Sequence, residues 1–269
     1  MLRSMKTMEE YSIGAKDGII GRVRDFYLDD ESWVIRYLVV DAGELRAGRR
    51  VLISPIAIGR PNWSEKLLPV SLTRMQVADS PDIDTDKPVS SQHEMGYLGY
   101  YGYGNYWGGG GLWGAGIYPD MLQGGLQNTG ARMDRAGVFA GEGGGRKRDD
   151  PHLRSGNALM RYYVHASDGD LGHVAGFLVD EESWAIRYLI VNTSNWWLGH
   201  EVLIAPQWID RVDWLDSTVS VGLTREAIQQ SPPYDPAIPF DRELEAGIHA
   251  HHGRTGYWPR ETKYSQADS

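Results

Sequence analysis

The apolar positions of this chain come in short alternating stretches. From Gly21 to Leu28, Val23 and Phe26 stand among polar neighbours, and the acidic cluster Asp29-Asp30-Glu31-Ser32 then interrupts the pattern. Alternation broken by turn-forming residues predicts a β-hairpin. The returning stretch, Trp33 to Val40, is almost wholly β-branched, aromatic or aliphatic, as in a central strand covered on both faces. A third strand, Arg50 to Ile53, ends near Pro55, where the missing N–H breaks a ladder. Two shorter strands are predicted around Ile56 to Ile58 and Leu67 to Leu72. Thr73-Arg74-Met75-Gln76 then has the spacing of a capping box and predicts a short helix.

The series recurs at a constant offset of 151. Leu2 to Pro81 aligns with Leu153 to Pro232 without a gap, and about 33 of the 80 pairs are identical. Glu31-Ser32-Trp33-Val34-Ile35-Arg36-Tyr37-Leu38 becomes Glu182-Ser183-Trp184-Ala185-Ile186-Arg187-Tyr188-Leu189, and Val51-Leu52-Ile53-Ser54-Pro55 becomes Val202-Leu203-Ile204-Ala205-Pro206. The second copy therefore repeats the hairpin, with later strands at Glu201 to Ile204, Trp208 to Ile209 and Val219 to Leu223, and Thr224 and Glu226 opening its helix. Five or six short strands in so few residues predict an all-β fold of two small antiparallel barrels, each followed by a short helix. A domain of this size buries only about 60% of its unfolded surface, so the two copies are expected to pack as a pseudo-two-fold pair.

These motifs resemble the PRC-barrel family, named from the cytoplasmic part of the photosynthetic reaction centre H subunit. The resemblance rests on Asp17-Gly18 with Gly21, Val23 and Phe26, on Ser32-Trp33 with Ile35-Arg36-Tyr37-Leu38, on Val51-Leu52-Ile53 with Pro55 and on Leu72-Thr73-Arg74, each repeated in the second copy. It implies a tandem barrel protein with barrel 1 over residues 1–86, a Gly/Tyr/Trp-rich linker over 87–156, barrel 2 over 157–232 and a tail with a short helix over 233–269. The family resemblance implies a non-enzymatic protein-binding or assembly module. It also allows an accessory subunit of a membrane redox or photosynthetic electron-transfer complex, supporting assembly or proton delivery.

Composition narrows the chemistry. With no cysteine among 269 residues, disulfides, thiolate nucleophiles and thiolate-bound metals are excluded. A net charge of −9 disfavours binding to nucleic acid. No apolar run has the length of a signal core or a membrane span, so the N-terminus is taken as that of a cytoplasmic protein, with peripheral membrane association through a partner still open. Between the copies, Tyr97 to Tyr118 consists mostly of Gly, Tyr, Trp and Leu and predicts a flexible spacer without regular structure. In the tail, Asp241 to Ala250 is predicted helical with Leu244 and Ile248 inward.

Candidate sites are few. His249, His251 and His252 are spaced to share a metal, but no further ligands follow at a recognisable spacing, so no metal or other cofactor is assigned. His93-Glu94 and His200-Glu201 begin like zinc-protease motifs and lack the second histidine. No catalytic constellation emerges. Trp33, Arg36 and Tyr37, with Trp184, Arg187 and Tyr188, are assigned to the barrel cores or the seam between barrels, because both copies keep them. Trp196 and Trp197 replace Leu45 and Arg46 of the first copy, and adjacent tryptophans in a loop suggest a partner-binding spot. Tyr257 and Trp258 are a second aromatic candidate, placed against barrel 2.

Overall fold

A computed structural model describes residues 1–43, 45, 48–81, 91–107, 109–123, 152–193, 200–238 and 240–258. In the first half, β1 (Leu2–Ser4) and α1 (Met5–Met8) precede β2 (Ser12–Ala15), β3 (Gly18–Asp29), β4 (Val34–Asp41), β5 (Arg50–Ile53) and β6 (Leu67–Pro69), followed by α2 (Arg74–Ala78) and α3 (Ser91–Tyr101). The second half repeats the plan: β7 (Leu153–Ser155), α4 (Gly156–Leu159), β8 (Tyr163–Ala166), β9 (Gly169–Asp180), β10 (Ile186–Asn192), β11 (Glu201–Ile204), β12 (Ile209–Asp213), β13 (Thr218–Val221), α5 (Arg225–Gln229) and α6 (Arg242–His251).

Two β-rich mixed sheets result. One runs β5-β4-β3-β2-β6 and the other β11-β10-β9-β8-β13-β12. The long strands β3 and β9 organise them. Bulges at Val23/Asp25 and Tyr27/Leu28 let β3 pair with β2 through its first part and with β4 through its second. Phe26, Tyr37 and Leu38, with Phe177, Tyr188 and Leu189, fill the two cores and are almost fully buried.

The three-residue strands join the halves. β1, at the start of the first copy, pairs with β9 of the second, and β7, at the start of the second, pairs with β3 of the first. Arg3 accordingly bonds Glu181 at 2.8 Å, and Arg154 bonds Asp30 at 3.0 Å. At the hairpins, Asp29 Oδ1 accepts the N–H groups of Glu31 and Ser32, and Trp33 is driven to φ 54°; Asp180 and Trp184 (φ 58°) repeat this turn. A left-handed conformation costs an aromatic residue about 1–2 kcal/mol. Here it turns the two carbonyls across the pseudo-two-fold axis: Ile186 N–H donates to Trp33 O at 2.7 Å and Ile35 N–H to Trp184 O at 2.9 Å.

Several expectations need correction. The sheets are not wholly antiparallel, since β2 runs parallel to β6 and β8 to β13. Among the described strands, no pairing joins β5 to β6 or β11 to β12, so both sheets have free ends. Residues 55–57 form a 3-10 turn in place of a strand. The flexible spacer predicted from Tyr97 onward is helical up to Tyr101. With Gly96 and Gly99 inside it, this helix has little intrinsic stability. It is held because the buried Tyr97 hydroxyl donates to Leu52 O at 2.9 Å and accepts from Ser54 N, satisfying the end of edge strand β5. In α6, Ile248 is buried as predicted, but Leu244 is exposed and Glu245 and His249 take the inner face. Thr73 and Gln76 do form the capping box.

The glycines separate into two kinds. A Cβ at Gly21 would overlap the carbonyl oxygen of Asp41, and one at Gly172 that of Asn192, whereas Gly96 faces open space. Gly21→Ala and Gly172→Ala should each lower stability in urea melts by about 3 kcal/mol. Gly96→Ala should raise it by about 1 kcal/mol. A neutral effect at Gly21 would refute the close strand crossing, and a loss at Gly96 the helix.

Candidate functional site

The densest polar chemistry lies in two related clusters on the hairpins. In the first half, Arg36 on β4 reaches back to Asp29 Oδ2 at 3.2 Å and Ser32 Oγ at 3.0 Å. Its guanidinium lies 3.8 Å from the ring centre of Tyr106 and 4.7 Å from that of Trp113, and Nη1 donates to Leu112 O at 2.6 Å. Planarity lets one arginine stack on rings and bond in its plane at once. Burial raises the Asp29 pKa, but the Arg36 charge and the N–H groups of Ser32 and Glu31 outweigh it and hold the carboxyl below the usual range. Beneath, Glu94 of α3 accepts the Tyr106 hydroxyl at 2.5 Å and stands 2.8 Å from His152 Nε2. Burial, followed by the Glu94 charge, pushes the Tyr37 and Tyr106 phenols well above their ordinary values, so both stay protonated.

In the second half, Arg187 meets Asp180 Oδ2 at 3.2 Å and Ser183 Oγ at 3.3 Å, under the ring of Tyr257 at 4.0 Å. Tyr257 donates to Glu245 Oε1 at 2.9 Å, and Arg242 pairs with Glu245 at 2.6 Å. Burial lifts Asp180 too, and the Glu182 N–H and Arg187 bring it below the ordinary value. Tyr188 meets His249 Nε2 at 2.9 Å.

The segments that complete the two clusters are themselves repeats, which the alignment ending at Pro81 misses. Continued at the same offset of 151, Glu94, Gly96, Gly102, Tyr106 and Trp107 become Glu245, Gly247, Gly253, Tyr257 and Trp258. The Gly and Tyr bias hides this signal, because matches within biased composition look accidental.

The sequence-derived candidates are thus distributed. Trp33 and Trp184 carry the carbonyls that bridge the halves, Arg36 and Arg187 centre the clusters, and Tyr37 and Tyr188 are core residues. Tyr257 and Trp258 lie on the second half, Trp258 with its ring centre 5.0 Å from that of His249. Trp196 and Trp197 lie outside the described residues. The histidines of α6 diverge: His249 faces Tyr188, and His251 meets Ala227 O at 2.9 Å. Among the described residues no group of three His, Asp or Glu side chains could hold a metal. A surface groove of about 280 Å³, lined by Tyr163, Val164, His165, Asp170 and Gly172, brings His165 Nδ1 within 2.7 Å of Asp170 Oδ1.

Among the described residues no helix is long and apolar enough to cross a membrane. Compared with known proteins, the chain matches no family model and no curated protein.

Proposed function

We propose that this chain is a non-catalytic cytoplasmic module of two PRC-type barrels that binds or assembles a protein partner. The observation that carries this reading is what the arginine clusters do to the chain itself. Arg36 and Arg187 each capture a polypeptide segment remote in sequence, through stacked aromatic rings and, at Arg36, a bond to a main-chain carbonyl. Tyr, Trp and Arg in such contacts are the chemistry of protein interfaces. The repeated Asp-Gly turn, the Ser-Trp-x-Ile-Arg-Tyr-Leu strand and the pseudo-two-fold pairing support the barrel reading.

The reading is tested by in-cell crosslinking of the full-length chain, followed by fractionation. Recovery of a defined protein in stoichiometric complex, reproduced with both proteins purified, is the expected result. A complex found only in membranes with redox subunits would favour the accessory-subunit role. A chain that remains uncomplexed at every expression level would remove the binding function.

A further inference from the structure

The two arginine clusters are related by the pseudo-two-fold axis, but they are not equally filled. Over Arg36, Trp113 completes a second aromatic face and reaches across the seam, where its Nε1–H donates to Ser183 O at 2.7 Å. Nothing among the described residues takes the equivalent place over Arg187. The exposures follow: Arg36 and Asp29 are 3% and 2% exposed, Arg187 and Asp180 19% and 20%. Across the seam, Ser183, whose carbonyl accepts the Trp113 indole, and Trp184 are buried, while their counterparts Ser32 and Trp33 are only half-buried.

The hydrogen bonds show the same asymmetry. Arg36 Nη1 has Leu112 O as its acceptor, and Ser183 O has the Trp113 indole as its donor. Among the described residues, Arg187 Nη1 has no acceptor and Ser32 O has no donor. One donor, one acceptor and one guanidinium face with no second ring over it among the described residues therefore stand in the arrangement that a main-chain carbonyl and an indole occupy on the other side.

In sequence, the chain's own continuation lacks the glycines on which the first arrangement depends. The turn that presents Trp113 depends on glycine: Gly114 has φ 69°, and a Cβ at Gly109 or Gly111 would overlap the carbonyls of Gly114 and Gly116. At offset 151 these positions are Ser265, Arg260, Thr262 and Ala267, so the repeat fails at the residues that build this turn. A second copy is equally unsuited, because its Trp113 is committed to its own Arg36.

We propose that the face between Arg187 and Ser32 is a recognition slot for a partner protein that presents a tryptophan on a glycine-rich turn, stacked on Arg187, its indole N–H bonded to Ser32 O and a main-chain carbonyl to Arg187 Nη1. This deepens the binding-module reading and rests on it.

The probe is the peptide acetyl-Gly-Leu-Trp-Gly-Ala-Gly-amide, a copy of residues 111–116, titrated into the full-length protein by NMR. Shifts centred on Ser32, Trp33 and Arg187 are expected. Replacing the peptide tryptophan by alanine should weaken binding at least about tenfold, and methylating its indole nitrogen several-fold, with no change to the protein itself. Arg187→Lys, which keeps the charge and loses the planar face, should weaken it comparably while the melting temperature moves little. Equal binding of the tryptophan and alanine peptides, or shifts elsewhere, would overturn the slot. So would a Tyr264→Ala chain that binds the peptide tenfold more tightly, since the tail would then be the occupant. Capture of a defined partner whose crosslinks avoid this face would overturn the slot and leave the binding function standing.

Discussion

Arg36→Ala should lower the unfolding free energy by about 3–5 kcal/mol, against about 1 kcal/mol for Arg187→Ala. Both arginines face an aspartate at 3.2 Å, so charge and distance do not distinguish them. Burial does. Removing Arg36 strands an Asp29 carboxylate that water cannot reach and opens a hole between Tyr106 and Trp113, whereas Asp180 keeps partial contact with solvent. The pH dependence gives a second readout. Because the folded Asp29 pKa is depressed, the pair stabilises the protein above the ordinary carboxylate pKa, and that stability is lost as pH falls through the depressed value. Without Arg36 the desolvation that opposes this shift loses its main counterweight, and the Asp29 pKa moves up. The deficit of Arg36→Ala should therefore be largest at neutral pH and shrink on acidification. Adding Asp29→Asn should restore part of the loss at pH 7, since a neutral amide tolerates burial and keeps an oxygen for the Glu31 and Ser32 N–H groups. Urea melts at pH 7 and pH 4 measure all of this. Equal losses for the two arginine variants, or a deficit independent of pH, would show that the buried pair has been misread.

The parts of the fold that were legible in the sequence are those whose signal is local and repeated. The arm of β3 alternates, that of β4 is nearly apolar throughout, both are doubled at offset 151, and Thr73 and Gln76 mark their helix by spacing alone. Strands β1 and β7 were hidden, because three residues have no period and Leu-Arg-Ser gains its meaning only from the sheet of the other half. Helix α3 was hidden for the opposite reason: its glycines argue against a helix, and a contact 45 residues away, Tyr97 with Leu52, decides the matter. At the site, Arg36 and Arg187 stood out because both copies keep them. Of their supports Tyr257 stood out as an aromatic candidate, but Glu94 and Tyr106 lie in the stretch read as a Gly/Tyr/Trp-rich linker.

The exchange of β1 and β7 carries the other large expected effect, that neither half is stable as a monomer. Cut from the chain, residues 1–123 would keep β1 with no β9 to pair with, and would leave the Tyr27 to Asp29 edge of β3 without β7. The hydrogen bonds through Trp33 O and Trp184 O, the Arg3–Glu181 and Arg154–Asp30 pairs and the Trp113 bond to Ser183 would all be lost. Val34, Leu153, Trp184 and Ala185, buried in the whole chain, lie along the parting surface. The intact chain should therefore unfold in one transition, despite its two sheets, because the seam couples the halves by more than a small domain's own margin of about 5 kcal/mol. Fragments 1–123 and 152–269 should show no cooperative melt when separate and recover native near-ultraviolet circular dichroism when mixed one to one. The repeat adds a constraint on how a lone half could fold at all. Asp30 stands where Glu181 does in the other copy, so β1 of one fragment could lie on β3 of a twin with Arg3 against Asp30. A folded fragment should then be a homodimer by light scattering. A folded monomeric half, or two separate transitions in calorimetry of the full chain, would mean that the strand exchange decorates two independent domains and does not hold them together.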